Sequence, residues 1–277
     1  MSVWRCGRFE LALDQPLVMA VVNVTPDSFS DGGTYEDPAS AVAAGERFIA
    51  EGAAIVDVGG ESTRPGACMV MPAEEIARVR PVVLRLAAEG VPISIDTRNA
   101  EVARACVEAG ASIINDVSGF RDPAMVQIAA ESDAGVVVMH MLGNPATMQR
   151  SPRYDDVVRE VGGYLIAQAT QLEAAGVARD RIAVDPGIGF GKTLAHNLEL
   201  LRRLHEIEAL GYPVVIGVSR KRFIGELTGV DVPAERLGGS IAAACWAAEH
   251  GAVVLRVHDV APTVQALGVT ATLAARD

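Results

Sequence analysis

Eight short runs rich in Val, Ile and Met recur along this 277-residue chain, each followed by a polar or glycine-rich turn and a segment of helical periodicity. The runs fall near residues 17–24, 54–59, 92–96, 112–117, 135–140, 182–186, 214–218 and 253–257. They are continuously apolar instead of alternating, as expected of strands in a parallel sheet covered on both faces. Successive runs begin about 20 to 45 residues apart, the spacing of β/α units, and eight such units close a barrel. The first helix is expected near Asp37-Pro38 and the second near Pro72, with Glu74 and Glu75 in its first turn, where acids and proline suit a helix start. Segment 153–176 predicts the longest helix, and alternation from Trp4 to Leu13 suits a small hairpin capping the barrel bottom. The expected fold is therefore α/β: a (β/α)8 TIM barrel with a short N-terminal β-hairpin, forming one domain over residues 1–277. An open doubly wound sheet is the alternative.

Composition narrows the function more than the fold. Half the residues are hydrophobic and 21% are charged, a balance typical of a globular chain. A net charge of -11 and a pI near 5.0 repel nucleic acid and anionic lipid surfaces, so neither is an expected partner. No basic segment followed by an apolar stretch opens the chain, and no run approaches the ~20 residues that span a bilayer, so a cytoplasmic location is expected. Cys6, Cys68, Cys106 and Cys245 lack the paired spacing of a zinc or redox motif and read as reduced thiols. Only two of the 24 basic residues, Lys192 and Lys221, are lysines, and both lie in glycine-rich or turn-like contexts.

Active sites of such barrels gather at the C-terminal ends of the strands. All eight exits carry polar groups: Asn23 with the loop NVTPDSFSDGG; Asp57 with GGESTRPG; Asp96; Asn115 and Asp116; His140; Asp185 with PGIGFGK; Ser219 with Arg220, Lys221 and Arg222; and Arg256, His258 and Asp259. A lone Asp or Asn at a strand end usually caps the next helix. Asp96, Asn115, Asp185 and Arg256, however, lie inside or at the end of apolar runs, where a charge faces the mouth and needs a partner. Thr63 and Arg64 offer a hydroxyl and a planar cationic fork suited to phosphate. Arg256 and His258 share one side of their strand, in the region where such barrels hold phosphate. Salt bridges to neighbouring acids are the alternative, better suited to Arg220 and Arg222 than to Lys221 and Arg256. PGIGFGK lacks the spacing of a Walker loop or a dinucleotide fingerprint. His196, His205 and His250 fall on expected helices, so the histidines form no zinc site; magnesium held by Asn23 and phosphate oxygens is compatible.

Taken in order, NVTPDSFSDGG, GGESTRPG, SIDT, NDVSG, DPGIGFGKT, SRKRF and RVHDV resemble dihydropteroate synthase over nearly the whole chain. The resemblance implies a (β/α)8 homodimer that joins 6-hydroxymethyl-7,8-dihydropterin diphosphate to 4-aminobenzoate, releases diphosphate, uses Mg2+ and is the target of sulfonamides. By that resemblance Asp96, Asn115, Met139, Asp185, Phe190, Lys221 and Arg256 would hold the pterin. Asn23, Thr63, Arg64, Arg256 and His258 would meet the diphosphate, with Asn23 on the metal. Phe29, Thr63, Pro65, Phe190 and Ser219 would surround the 4-aminobenzoate. Asp31, Thr63, Arg64, Lys221 and Arg256 would take part in a dissociative substitution, with Asp31 stabilising the cationic pterin methylene. Arg222 stands where some family members carry serine, and Cys68-Met69-Val70-Met71 is unusually apolar for an exposed loop. His140 and Asp57 receive no role.

Three other readings share parts of this pattern. A barrel moving a methyl group from a pterin to a corrinoid protein would need the carboxylates but not GGESTRPG and RVHDV together. A lyase would use Lys221 as a Schiff base, and an inactive pterin-binding paralogue would have lost catalytic residues.

Overall fold

Each of the eight apolar runs forms a strand in the computed structural model, which describes residues 3–25, 38–62 and 69–274. A hairpin of β1 (Val3–Cys6) and β2 (Phe9–Ala12) precedes β3 (Leu17–Asn23), β4 (Ile55–Gly59), β5 (Ile93–Asp96), β6 (Ile113–Asp116), β7 (Gly135–Met139), β8 (Ile182–Asp185), β9 (Val214–Ile216) and β10 (Ala252–Val257). All neighbours in the second group are parallel, and β10 pairs with β3, so the sheet closes and the open doubly wound alternative is excluded. Between and after these strands run α1 (Pro38–Ala50), α2 (Pro72–Leu86), α3 (Ala100–Glu108), α4 (Pro123–Glu131), α5 (Val157–Ala174), α6 (Leu194–Arg202), α7 (Leu204–Glu208), α8 (Arg222–Thr228), α9 (Leu237–Glu249) and α10 (Val260–Ala274).

Helix starts follow local chemistry. Pro72 opens α2 with Glu74 and Glu75 in its first turn, where proline loses no needed N–H and the acids meet the positive end of the helix dipole. Asp156 caps α5 by accepting from the N–H groups of Val158 and Arg159, which keeps residues 153–156 out of the expected longest helix.

Side chains alternate across each strand. Val56, Val58, Ile93, Ile95, Val136, Val138 and their equivalents pack outward against the helices. Met19, Ile55, Ile113, Val137, Ala183, Val215 and Val254 form a separate cluster with Trp4, Cys6 and Leu13. The hairpin thus plugs the bottom of the barrel, with Trp4 fully buried and its indole N–H donating to the Arg181 carbonyl at 2.9 Å. Above this plug the register sets the polar layers. Asp57 pairs with Val21 and Ser94, whereas Gly59 pairs with Asn23 and Asp96, and Asp96 in turn pairs with Asn115. Asp57 therefore lies on the same strand face as Ile55 and Gly59, between the plug and the rim.

Candidate functional site

The deepest polar group of the mouth is Asp57, whose side chain is 0% exposed. A carboxylate at that depth needs charge-assisted partners. Arg256 supplies one: its Nε donates to Asp57 Oδ2 at 2.6 Å, and its Nη2 donates to Asp96 Oδ2 at 2.7 Å. Asn115 Nδ2 adds longer contacts of 3.3 and 3.4 Å to the two Asp57 oxygens. One guanidinium thus bridges β4 and β5 from β10 across the barrel. Burial raises the Asp96 carboxyl above its usual range; Arg256 opposes the shift and Asp57 adds to it. Burial by itself would lower the Arg256 pKa, but Asp57 and Asp96 together raise it further. Arg256, expected from the sequence as a ligand-facing cation, is thus also a salt-bridge residue, with Nε and Nη2 on the two carboxylates.

Asp185 closes β8 beside Met139. Its Oδ1 accepts the Gly187 N–H at 2.7 Å, and its Oδ2 has no hydrogen-bond partner among the described residues. Burial raises its pKa; the Gly187 N–H, Lys221, Arg256 and Lys192 pull the other way. Gly187 has φ +67°, and a Cβ there would overlap the His140 carbonyl oxygen, so glycine is required where the loop doubles back. Met139 joins Val117, Met141, Met148 and Phe190 in a small apolar cluster, the wall of the mouth between β6 and the loop after β8. Lys221 lies across that wall with Nζ 4.0 Å from the centre of the Phe190 ring, a cation–π contact.

Backbone strain helps to aim Lys221. Arg220 before it has φ +59°, a left-handed conformation unfavourable for a non-glycine residue. It is held there by its N–H on Ser240 Oγ at 2.9 Å, by Arg236 on its carbonyl at 3.0 Å, and by a two-pronged pair with Asp259. Arg220 is therefore a structural ion pair. Arg222 turns outward to Glu226, Nε to Oε1 at 2.6 Å, with its side chain 87% exposed. Ser219 is buried and its hydroxyl meets both the N–H and Nδ1 of His258, at 3.2 and 3.1 Å.

Asn23 ends β3 at the rim, where a Cβ built on Gly59 would approach Asn23 Oδ1 at 3.8 Å and Asp96 Cβ at 3.5 Å. The structure thus gathers Asn23, Asp96, Asn115, Met139, Asp185, Phe190, Lys221 and Arg256 around one mouth, with Ser219 and His258 beside β9 and β10. Phe29, Asp31, Thr63, Arg64 and Pro65 lie outside the described residues, as does Cys68.

Two functional candidates escaped sequence reasoning. Asp57 was visible as an acid within an apolar run, and its two-residue offset from Gly59 marks it as inward-facing. Its partner lies 199 residues away. The other is the pair Lys192 and His140, with Lys192 Nζ 2.9 Å from His140 Nδ1 and almost no exposure of either residue. Lysine scarcity singled out Lys192 and a strand-exit position marked His140, but nothing local paired the two.

A sequence profile of the family described as "Pterin binding enzyme" matches residues 19–258. The dihydropteroate synthase of Neisseria meningitidis serogroup C is 52% identical over 269 residues, covering 96% of this chain and 95% of the relative. Among solved structures, Xanthomonas albilineans dihydropteroate synthase with 4-aminobenzoic acid has 50% identity and a TM-score of 0.89, covering 96% of each chain. The Thermus thermophilus enzyme in complex with 6HMPPP has 43% identity and a TM-score of 0.88, covering 99% of this chain and all of that one.

Proposed function

Since the chain belongs to the pterin-binding enzyme family and, within it, to the dihydropteroate synthases, we propose that it condenses 6-hydroxymethyl-7,8-dihydropterin diphosphate with 4-aminobenzoate to 7,8-dihydropteroate and diphosphate. The observation that carries this reading is the mouth itself, where Asp96, Asn115 and Asp185 stand on three strand ends around an apolar wall crossed by Lys221. An aminopyrimidinone edge presents adjacent N–H donors, and the Oδ2 of Asp185, which meets no hydrogen-bond donor among the described residues, suits them. Asn115 turns its Nδ2 toward Asp57 and can offer its amide oxygen to the ligand. Lys221 can donate to acceptors on the opposite side of the ring, while Met139 and Phe190 bound its face. Arg256 fixes Asp57 and Asp96 and contributes the positive end of the well.

The reaction breaks the C–O bond between the pterin methylene and diphosphate, and the electron pair leaves with the phosphate oxygen. The arylamine lone pair then forms the C–N bond, and its nitrogen loses a proton. In this reading Asn23, Thr63, Arg64, Arg256 and His258 receive the leaving diphosphate, and stabilising that charge lowers the barrier. Asp31 offsets the cationic methylene, and Phe29, Thr63, Pro65, Phe190 and Ser219 enclose the 4-aminobenzoate.

Magnesium fits this arrangement: among the described residues no three His, Cys, Asp or Glu side chains gather for a metal, whereas Asn23 offers a hard oxygen at the rim. Mg2+ takes few protein ligands and fills its sphere with water and phosphate oxygens, so Asn23 would hold it and the ion would neutralise diphosphate charge. The homodimer draws support from α9 and α10, which leave Leu237, Trp246, Val269 and Leu273 exposed. Among the described residues no helix is long and apolar enough to cross a membrane, and we assign the enzyme to the cytoplasm, as one domain and a sulfonamide target.

The test is diphosphate release by the purified protein with magnesium. Release is expected only when both substrates are present; absence of product would overturn the assignment.

A further inference from the structure

Lys192 and His140 are buried, titratable and unused by the reaction above. Lys192 Nζ meets three acceptors: His140 Nδ1 at 2.9 Å, the Phe190 carbonyl at 3.0 Å and the His140 carbonyl at 3.4 Å. The three contacts use its three possible donors, so the amine joins the exit of β7 to the tip of the loop after β8. The same two segments are joined by the His140 N–H on the Asp185 carbonyl at 2.9 Å and by Tyr154 Oη on the Gly191 carbonyl at 2.9 Å. The His140 ring is wedged edge-on against Tyr164, 5.0 Å between centroids, and tilted against Tyr154 at 6.1 Å. Tyr164 in turn donates to the Ser118 carbonyl at 3.1 Å and accepts from Arg121 at 3.0 Å.

This clamp therefore spans three strand exits, and its centre is a buried amine. Burying such a group is unfavourable unless every donor is met. Burial pushes the Lys192 amine down to about 7 and the His140 ring down to about 3, the latter helped by Lys192 and Arg121. A neutral hydrophobic side chain would fill the same volume without that penalty. What the amine adds is a grip on the carbonyls of Phe190, whose ring carries Lys221, and of His140, whose own N–H holds the Asp185 carbonyl.

We propose that Lys192 is a positioning residue for the pterin end of the site, acting through Phe190 and Asp185, with His140 as its anchoring acceptor. The proposal rests on the pterin reading of the mouth. It predicts a larger defect for the pterin than for 4-aminobenzoate, because the clamp holds both Asp185 and Phe190 and only Phe190 is shared with the second substrate. A displacement of the loop by a fraction of an ångström is enough to weaken binding and rate, since productive geometry tolerates little slack.

Steady-state kinetics of Lys192→Met test it. The KM for the pterin diphosphate should rise roughly tenfold, the equivalent of about 1.4 kcal/mol, while that for 4-aminobenzoate changes less than about threefold. His140→Leu, which deletes the ring acceptor, should share the defect, whereas His140→Gln, which keeps an acceptor, should lie near the wild type. The double variant Lys192→Met/His140→Leu should be no worse than Lys192→Met alone, because the two residues act as one unit. An unchanged pterin KM in Lys192→Met, or an equal rise for both substrates, would overturn the assignment. Should Lys192→Met fail to fold, Tyr154→Phe loosens the same loop without altering charge, and a pterin KM equal to wild type would overturn it too. Failure of the wild-type protein to release diphosphate would instead defeat the reading of the reaction, leaving the two outcomes separable.

Discussion

Replacing Arg256 with methionine removes the cation that bridges two carboxylates while retaining a side chain of similar reach. Asp57 has no exposure and Asp96 only 15%, so neither can recover full hydration where it stands. Deleting one partner of a buried ion pair typically destabilises by about 3–5 kcal/mol, because a charge is left without compensation. For a chain of this size that lowers Tm on the order of 10 °C. The effect should depend on pH. Asp96 is already raised by burial in the wild type, and Arg256 is the largest influence opposing that shift, so its loss raises Asp96 further. A carboxyl whose folded pKa exceeds its unfolded value holds more protons in the folded state, so stability falls as pH rises between the two values. The variant continues to lose stability past the pH at which the wild-type Asp96 has ionised, by up to about 1.4 kcal/mol per pH unit.

Urea unfolding at pH 5.5, 7 and 8.5, followed by tryptophan fluorescence and circular dichroism, measures the gap between wild type and variant. The gap should be largest at pH 8.5 and shrink toward pH 5.5. Adding Asp96→Asn to Arg256→Met should restore a substantial part of the loss, since it removes the charge that became unpaired. A gap that is constant over pH, or a double variant no more stable than the single one, would refute the account of Arg256 as the counter-ion of this well.

Other consequences are simpler to measure. Lys221→Ala and Asp185→Asn should each weaken binding of the pterin diphosphate by about 1.5–3 kcal/mol with little change in Tm; normal affinity by calorimetry would exclude their role. Trp4→Ala opens the bottom plug and should lower stability by about 3–5 kcal/mol while leaving both KM values intact, which separates packing from chemistry. N–H donors from a bound pterin favour the ionised form of the raised carboxyls Asp96 and Asp185, so binding below their free pKa values should release protons. Affinity should then increase with pH through that window, and a binding enthalpy independent of buffer ionisation would contradict it. Trp246→Glu places a charge on the exposed apolar face of α9 and should shift the proposed dimer to monomer in sedimentation velocity, with activity per folded chain as the control.

The barrel was legible because strands covered on both faces are apolar throughout, which marks them even in runs of three to seven residues. Their ends were less so. The run 214–218 forms a strand only over Val214–Ile216, since Gly217 and Val218 already belong to the turn that carries Ser219 and Arg220. The polar exits identified the mouth as a whole, and Asp96, Asn115 and Asp185 stand there as expected. Depth was not legible. Whether Asp57 or Asp96 lies deeper follows from the stagger between strands, and that stagger is set by pairings between distant segments. Arg256 illustrates the consequence: its strand position was readable, whereas its commitment to Asp57 and Asp96 arises from side chains 199 and 160 residues away. Lys192 stood out by rarity alone, and its partner sits 52 residues earlier on another exit.

The layering of the barrel explains why such unfavourable groups can be tolerated at the mouth. The lower interior is a dry cluster of aliphatic side chains sealed by Trp4, and its contribution to stability does not depend on what binds above. Directly over it lie Asp57, then Asp96, Asn115 and Asp185, compensated among the described residues by Arg256, Lys221 and Lys192. Burial raises the Asp96 and Asp185 carboxyls despite these cations, and N–H donors from a ligand would favour their ionised forms. A surface cleft could relax by rotating its carboxylates into water. Here the strand ladder fixes the backbone on either side, Arg256 ties two strands together, and the Lys192 clamp holds a third exit. The stability that the plug supplies thus lets the mouth keep buried carboxyls in fixed positions, where a bound pterin offers them N–H donors and a hydrophobic ring of the same shape offers none.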